Sequence, residues 1–349
     1  MFFKDIKFIL LRYKDDIKVW ASDIFNKIKF DYHKELALIE ERPIGRLHFS
    51  VTNICNGRCV FCASRKISAN KNYNRGVMSF EIFKKAVDEY SKLGGYKISL
   101  TPTIGEPLID PGLIKKIDYA VNVAKIKKVY FYTNGTLLLK NNNYKKLVDS
   151  GIYEIDISTL IYSKAVYEKI YGISEYNEML EGLYALLEYN KNRGEPVIIK
   201  IQFRTPKLPS ETANCADFKR VVKPFLSEKV TYSFLVNYDN WGGVVKQSDL
   251  YGAMRLRRSF KFRRIPCLRT YGIFVLHDGS VRLCACRVKN TEFDELVVGN
   301  INDKSLKEIY NGKRAKSIRK KFLDEKLPEV CTDCRFYDSG AFRYTIELR

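Results

Sequence analysis

The stretch Cys55-Asn56-Gly57-Arg58-Cys59-Val60-Phe61-Cys62 constrains this chain more than any other, because it puts three thiols at spacings of four and three in one short loop. Such thiols can converge on one inorganic centre. A four-iron, four-sulfur cube takes four ligands, so a three-cysteine loop leaves one iron free to bind something other than protein. A structural zinc site would instead need a fourth Cys or His nearby, and the nearest histidine, His48, precedes the loop in a segment that reads as a strand.

CxxxCxxC with an aromatic residue in its last gap resembles the radical S-adenosylmethionine (SAM) superfamily. The resemblance implies that Cys55, Cys59 and Cys62 hold a [4Fe–4S] cluster whose open iron chelates the amino and carboxylate groups of SAM. It further implies reductive cleavage of SAM to a 5′-deoxyadenosyl radical, which abstracts hydrogen from unactivated C–H bonds. The backbone around Phe61 is then expected against the adenine.

Nine cysteines are many for a protein without a disulfide framework, and seven fall in three groups, 55/59/62, 284/286 and 331/334, which favours metal over disulfides. No apolar run reaches the roughly 18 residues of a membrane span, and no signal-peptide pattern opens the chain, so the expected location is the cytoplasm. The formal charge of +21 is compatible with nucleic acid, an anionic surface or a phosphorylated substrate and selects none of them. Basic residues concentrate at Arg255, Arg257, Arg258, Lys261, Arg263 and Arg264, and again between Lys313 and Lys321.

The chain begins with a helical stripe, Ile6, Leu10, Tyr13, Ile17, Trp20, Ile24 and Ile28. It is expected to pack on the enzyme body, the alternative being an interfacial membrane helix whose positive face Asp5, Asp15, Asp16 and Asp23 would dilute. Strand patterns follow at 46–52, 96–101, 129–133, 153–158, 196–203 and 230–236, with helical stretches between them near 111–124, 142–149, 174–193 and 210–226 and with Ser79 as an N-cap. Six strands alternating with helices predict an α/β fold, a partial (β/α)6 TIM barrel, short of the eight strands of a closed one.

Active residues of such barrels gather where strands end. Strand two runs into Thr103-Ile104-Gly105-Glu106-Pro107, where the family usually has Gly-Gly-Glu; Ile104 departs from that pattern while Gly105 and Glu106 stay in register. The resemblance implies that Glu106 pairs with the SAM ammonium, that Asn134 of Thr133-Asn134-Gly135 belongs to the SAM site, and that Ser158 lies near the ribose or carboxylate. Arg204, closing strand five, would hold a carboxylate or a substrate oxygen, and 237–243, after strand six, offers substrate contacts.

A second cysteine set follows. Cys267 precedes a hairpin pattern that turns at His277-Asp278-Gly279-Ser280 and reaches Cys284, and Cys331-Thr332-Asp333-Cys334 completes four thiols. With Gly299-Asn300-Ile301, this resembles the SPASM and twitch auxiliary domains, and implies a small C-terminal α+β domain holding one auxiliary [4Fe–4S] cluster on Cys267, Cys284, Cys331 and Cys334. Gly340 and Tyr344 stand where the full SPASM pattern has further cysteines, and a four-cysteine zinc site is the alternative. Cys286 is either a further ligand or a free thiol able to return a hydrogen atom, and Cys215 is expected to be a structural thiol.

The expected organisation is an amphipathic helical segment over 1–43, a barrel over 44–245 and an auxiliary domain over 246–349. The expected function is hydrogen abstraction from a carbohydrate-like or phosphorylated small molecule, ending in oxidation or epimerisation. A reductant such as flavodoxin or ferredoxin would serve it, and nucleic acid is not an expected partner. The alternatives are a peptide-modifying maturase, and a non-catalytic iron–sulfur electron carrier or RNA-binding protein.

Overall fold

The structure is a computed structural model that describes residues 2–28, 44–67, 70, 73–285 and 287–338. Six parallel strands, β1 (Leu47–Phe49), β2 (Lys97–Ser99), β3 (Lys128–Thr133), β4 (Glu154–Thr159), β5 (Ile198–Phe203) and β6 (Val230–Phe234), lie side by side in sequence order. This is the expected partial (β/α)6 TIM barrel. Leu47, Phe49, Ile98, Val129, Phe131, Ile155, Ile157, Ile199 and Ile201 are fully buried and form one face of the sheet. Because side chains alternate along a strand, the opposite, concave face carries Ser99, Tyr130, Tyr132, Asp156, Ser158, Gln202 and Arg204. An apolar outside packed under helices and a polar inside make a barrel wall that can line a site.

The helices cover the apolar face. Ser79 caps Phe80–Lys92 as expected, accepting the Ile82 N–H at 3.2 Å, and that helix buries Phe83, Ala86, Val87 and Tyr90. Two helical expectations are corrected. The stretch 111–124 is α-helical over Leu113–Asp118 and widens to a π turn over Tyr119–Val123. The stretch 210–226 divides into Pro209–Asn214, Phe218–Val222 and Lys223–Phe225. Cys215 is extended, with φ −67° and ψ 155°, and Pro224, which lacks an N–H, cannot continue an α-helix.

The sheet continues beyond the barrel. Strand β7 (Ile273–Val275) pairs in parallel with β1, aligning Leu47, His48 and Phe49 with Ile273, Phe274 and Val275. Strands β8 (Ser280–Arg282) and β9 (Val297–Asn300) follow antiparallel, giving nine strands in the order β6-β5-β4-β3-β2-β1-β7-β8-β9. The β7–β8 turn is the expected Asp-Gly turn, with Gly279 at φ +89° and the Ser280 N–H donated to Asp278 at 2.9 Å. Inside this hairpin the Arg282 guanidinium is fully buried and paired in bidentate fashion with Asp294 at 2.9 and 2.6 Å, which compensates its charge away from water.

The first helix, Phe2–Ile28, does pack on the body, but not through the apolar stripe expected to hold it. Ile6, Leu10, Tyr13, Ile17, Trp20 and Ile24 are exposed, and the opposite face makes the contacts. Among the described residues no helix is long and apolar enough to cross a membrane.

Candidate metal and cofactor site

The cysteine loop leaves the end of β1 and is pinned on two sides. Ile54 C=O accepts the Glu106 N–H at 2.9 Å, while the Arg58 and Val60 N–H groups bond Tyr171 and Ile170 carbonyls, each at 2.9 Å. A Cβ on Gly57 would lie 3.5 Å from Cys59 Sγ and 3.7 Å from Cys55 Sγ, so both sulfurs stand around this one glycine. The Gly57 and Ser64 N–H groups donate to Cys55 and Cys62 sulfurs at 3.4 Å. Burial pushes the Cys55 thiol up to about 12, with the charges of Glu106 and Cys62 adding to it, and raises Cys59 and Cys62 as well.

Burial disfavours thiolate at each of the three half-buried cysteines until a cation compensates it, and the sulfurs of Cys55 and Cys62 already receive N–H donors. The donor set therefore fits an iron–sulfur cube. Among the described residues no three His, Cys, Asp or Glu side chains could hold one metal ion together, and the ligands of a cube bind separate irons.

The loop after β2 reaches this site through a glycine. Gly105 has φ +143°, and a Cβ there would meet the Thr52 carbonyl oxygen at 2.5 Å, so only glycine brings this backbone against the strand that leads into the cysteines. Glu106 next to it is buried. Its carboxylate accepts from Thr133 Oγ1 at 2.6 Å, Asn134 N at 2.8 Å and Leu108 N at 3.2 Å, and burial still pushes it up to about 7. Asn134 donates to Asn56 inside the cysteine loop at 2.9 Å, and Asn56 donates to Thr136 at 2.9 Å. The ends of β2 and β3 are thus tied to the loop of β1.

Phe61 is buried among Tyr171 at 5.4 Å, Tyr238 at 5.6 Å and the Arg204 guanidinium at 5.1 Å, and its carbonyl accepts from Trp241 Nε1 at 2.8 Å. Arg204 donates to Gln202 at 2.9 Å, while its buried Nε has no hydrogen-bond partner. Ser158 is half-buried on β4 beside Gln202 of β5. Sequence reading passed over Asp156. Its Oδ2 is buried without a hydrogen-bond partner, and burial with the nearby Glu154 charge pushes the carboxyl up to about 7. The signal was present, since Tyr132, Asp156 and Gln202 alternate with isoleucine and phenylalanine along their strands.

Cys267, Cys284, Cys331 and Cys334 line one cavity together with Leu296, Phe322 and Val330. Asp338 N and Phe336 N donate to Cys267 and Cys334 sulfurs at 3.4 and 3.3 Å. Burial pushes Cys267 up to about 12 and raises Cys331 and Cys334, the same condition as in the first loop. Four thiols around one apolar space are a full ligand set for a second cube. Cys286 lies outside the described residues, as do Gly340 and Tyr344. Cys215 is half-buried with its thiol on Ile161 C=O at 3.5 Å.

Two polar regions make structural contacts, although Tyr238 Oη and Asp239 Oδ1 in the first of them are buried without a hydrogen-bond partner. In the loop after β6, Asn237 bonds Asp15 and Arg255 at 2.7 Å each, Asp239 pairs with Arg287 at 2.5 Å, and Asn240 bonds the Asp333 carbonyl at 2.7 Å. This loop brackets the barrel to the CxxC segment. In the basic segment, Arg255 pairs with Asp16 at 3.0 Å, Arg257 with Asp15 at 2.9 Å and Arg264 with Glu325 at 2.8 Å.

Residues 49–214 match the Radical SAM superfamily, and residues 267–335, which begin at Cys267 and include Cys334, match the SPASM iron–sulfur cluster-binding domain. GTP 3′,8-cyclase of Petrotoga mobilis is 28% identical over 151 residues, covering 43% of this chain and 45% of that protein. GTP 3′,8-cyclase of Staphylococcus saprophyticus subsp. saprophyticus is 32% identical over 132 residues, covering 37% of this chain and 38% of that protein. The matched stretch spans less than half the length of these curated relatives. Among solved structures, BtrN in complex with AdoMet and 2-DOIA aligns with TM-score 0.52 at 17% identity, over 84% of this chain and 94% of that one. Native anSMEcpe with bound AdoMet aligns with TM-score 0.53 at 17% identity, over 80% and 84%. At these identities the likeness is one of fold.

The close approach of Gly105 gives a test against a matched control. Gly94 also has positive φ, +78°, but nothing lies within 4 Å of an added Cβ, so Gly94→Ala carries backbone strain alone, about 1 kcal/mol. Gly105→Ala adds a collision with backbone and should cost roughly 2 kcal/mol or more beyond that. Urea unfolding midpoints of the two variants measure the difference, and equal midpoints would contradict the packing described.

Proposed function

The chain belongs to the radical SAM superfamily and carries a SPASM domain, and from that premise we propose that Cys55, Cys59 and Cys62 hold the SAM-binding [4Fe–4S] cluster while Cys267, Cys284, Cys331 and Cys334 hold one auxiliary cluster. The division into 1–43, 44–245 and 246–349 follows from that assignment. When bound, cluster and SAM supply the reductive cleavage that yields a hydrogen-abstracting 5′-deoxyadenosyl radical. The chain's residues bind, orient and exclude water. Glu106, buried and already oriented by Thr133 and Asn134, receives the SAM ammonium. Asn134 and Ser158 complete the SAM contacts, the backbone at Phe61 lies against adenine, and Arg204 holds a carboxylate or a substrate oxygen.

The reaction is hydrogen abstraction from a hydroxyl-rich, carbohydrate-like small molecule, ending in oxidation or epimerisation. The observation that carries this reading is the polar concave wall, where Asp156 Oδ2 and Arg204 Nε are buried without partners on neighbouring strands. Groups so placed suit substrate hydroxyls, which would satisfy them. The fold likeness to BtrN, whose complex contains AdoMet and 2-DOIA, supports it. A phosphorylated substrate draws support from the GTP 3′,8-cyclase likeness alone, since Arg255, Arg257 and Arg264 are engaged in ion pairs. The reductant is flavodoxin or ferredoxin, and the place of action is the cytoplasm. Of the two outcomes oxidation is the preferred one, with the auxiliary cluster taking the electron; Cys286 is then a bystander or ligand.

Anaerobically reconstituted protein should hold about eight irons per chain. Changing Cys55, Cys59 and Cys62 together to Ala should leave about four and abolish SAM cleavage; a triple variant with full iron that still cleaves SAM overturns the ligand assignment. Glu106→Gln should keep both clusters yet bind SAM about tenfold to a hundredfold more weakly in equilibrium titration, and unchanged affinity would remove its role. Turnover in deuterated water separates the outcomes: deuterium at the reacting carbon that disappears in Cys286→Ala makes this an epimerase with a thiol donor, and an oxidised product without deuterium makes it a dehydrogenase.

A further inference from the structure

At 3.6 residues per turn, helix Phe2–Ile28 has two opposed faces that differ in kind. Phe8, Val19, Ser22 and Asp23 are buried and mark the side against the body. That side docks by charge. Asp15 accepts both Arg257 nitrogens at 2.9 and 3.0 Å, Asp16 pairs with Arg255 at 3.0 Å, Asp23 accepts the Lys261 and Phe262 N–H groups at 3.0 and 3.2 Å, and Asp5 accepts the Ser210 N–H at 3.0 Å. The four aspartates that sequence pattern alone would count against a positive surface are therefore all turned inward.

The outward side keeps the apolar stripe. Leu10 is 60% exposed, Tyr13 and Ile17 are 61% exposed and Trp20 is 55% exposed, with Ile6 and Ile24 in the same row. Helical spacing sets Lys7, Lys14 and Lys18 along one edge of this stripe, and none of the three has an ion pair among the described residues. A continuous exposed apolar row marks an interaction site. Lysines at its edge with no acid between them, on a chain of net charge +21, match an anionic surface.

We infer that this helix seats the enzyme on an anionic membrane surface, lying in the plane of the headgroups with Leu10, Tyr13, Ile17 and Trp20 inserted and Lys7, Lys14 and Lys18 on lipid phosphates. An interfacial helix combines an apolar side, aromatic residues and a lysine border in this manner. Here the enzyme body replaces water as the partner of its acidic side. The enzyme is then peripheral and released by salt, with the barrel carried beside the bilayer.

Flotation of the full, iron-loaded chain with phosphatidylcholine vesicles, with and without phosphatidylglycerol, tests this. The chain should float with the anionic vesicles and be released as salt rises. The double variant Leu10→Asp, Ile17→Asp should stay in the heavy fraction while keeping its iron and SAM cleavage, which separates lost anchoring from misfolding. Changing Lys7, Lys14 and Lys18 to Gln should weaken binding by about fivefold per charge. Failure to float, equal flotation with neutral vesicles, or lysine changes without effect would overturn the inference. So would a dimer in sedimentation velocity that the double variant converts to monomer, since a second copy would then be what covers the stripe.

Discussion

Strand β1 is the one element that everything else hangs on, because its two edges are used for two different sites. One edge pairs with β2 and so closes the barrel order, and the other pairs with β7 and so draws in the hairpin that ends at Cys284. Its C-terminal end delivers the cysteine loop. Hydrogen bonds of three residues thus fix both sulfur sets to one frame, and the Thr103 Oγ1 bond to the Ala285 carbonyl at 2.8 Å adds a second tie between them. Two cluster sites that, in the proposed function, exchange an electron or share a substrate would need such a rigid common support.

Charge is arranged around the same frame. Both thiol sets sit where burial disfavours thiolate, so a bound metal would supply the compensation the protein withholds. Arg282 with Asp294 and Lys116 with Asp110 at 2.7 Å are buried charges held in pairs. On the concave wall Glu154 is paired with Lys200, while Asp156 Oδ2 and Arg204 Nε are buried without hydrogen-bond partners.

Much of this was legible in the sequence, because strand alternation and strand-end chemistry are local. The six barrel strands fall within about three residues of their expected bounds, and Glu106 and Asn134 stand in one hydrogen-bonded cluster with the cysteine loop. The docking of β7 on β1 was not legible, since pairing between strands more than 200 residues apart leaves no local period. Nor was the orientation of the first helix. Periodicity says which residues share a face but not which face turns inward, and four aspartates that complement arginines and backbone N–H groups outweighed an apolar stripe. The engagement of the basic segment was not legible either, since Asp16 and Asp15, the partners of Arg255 and Arg257, lie more than 200 residues away in sequence.

That the iron left open by Cys55, Cys59 and Cys62 takes the methionine end of SAM is tested most directly by electron–nuclear double resonance. The measurement uses the reduced protein with SAM isotopically labelled at its amino nitrogen. Ligation to the open iron predicts a hyperfine coupling from that nitrogen that is present in the wild-type chain and lost in the variant lacking the three loop cysteines. A reduced cluster spectrum in which labelled SAM produces no coupling would contradict it.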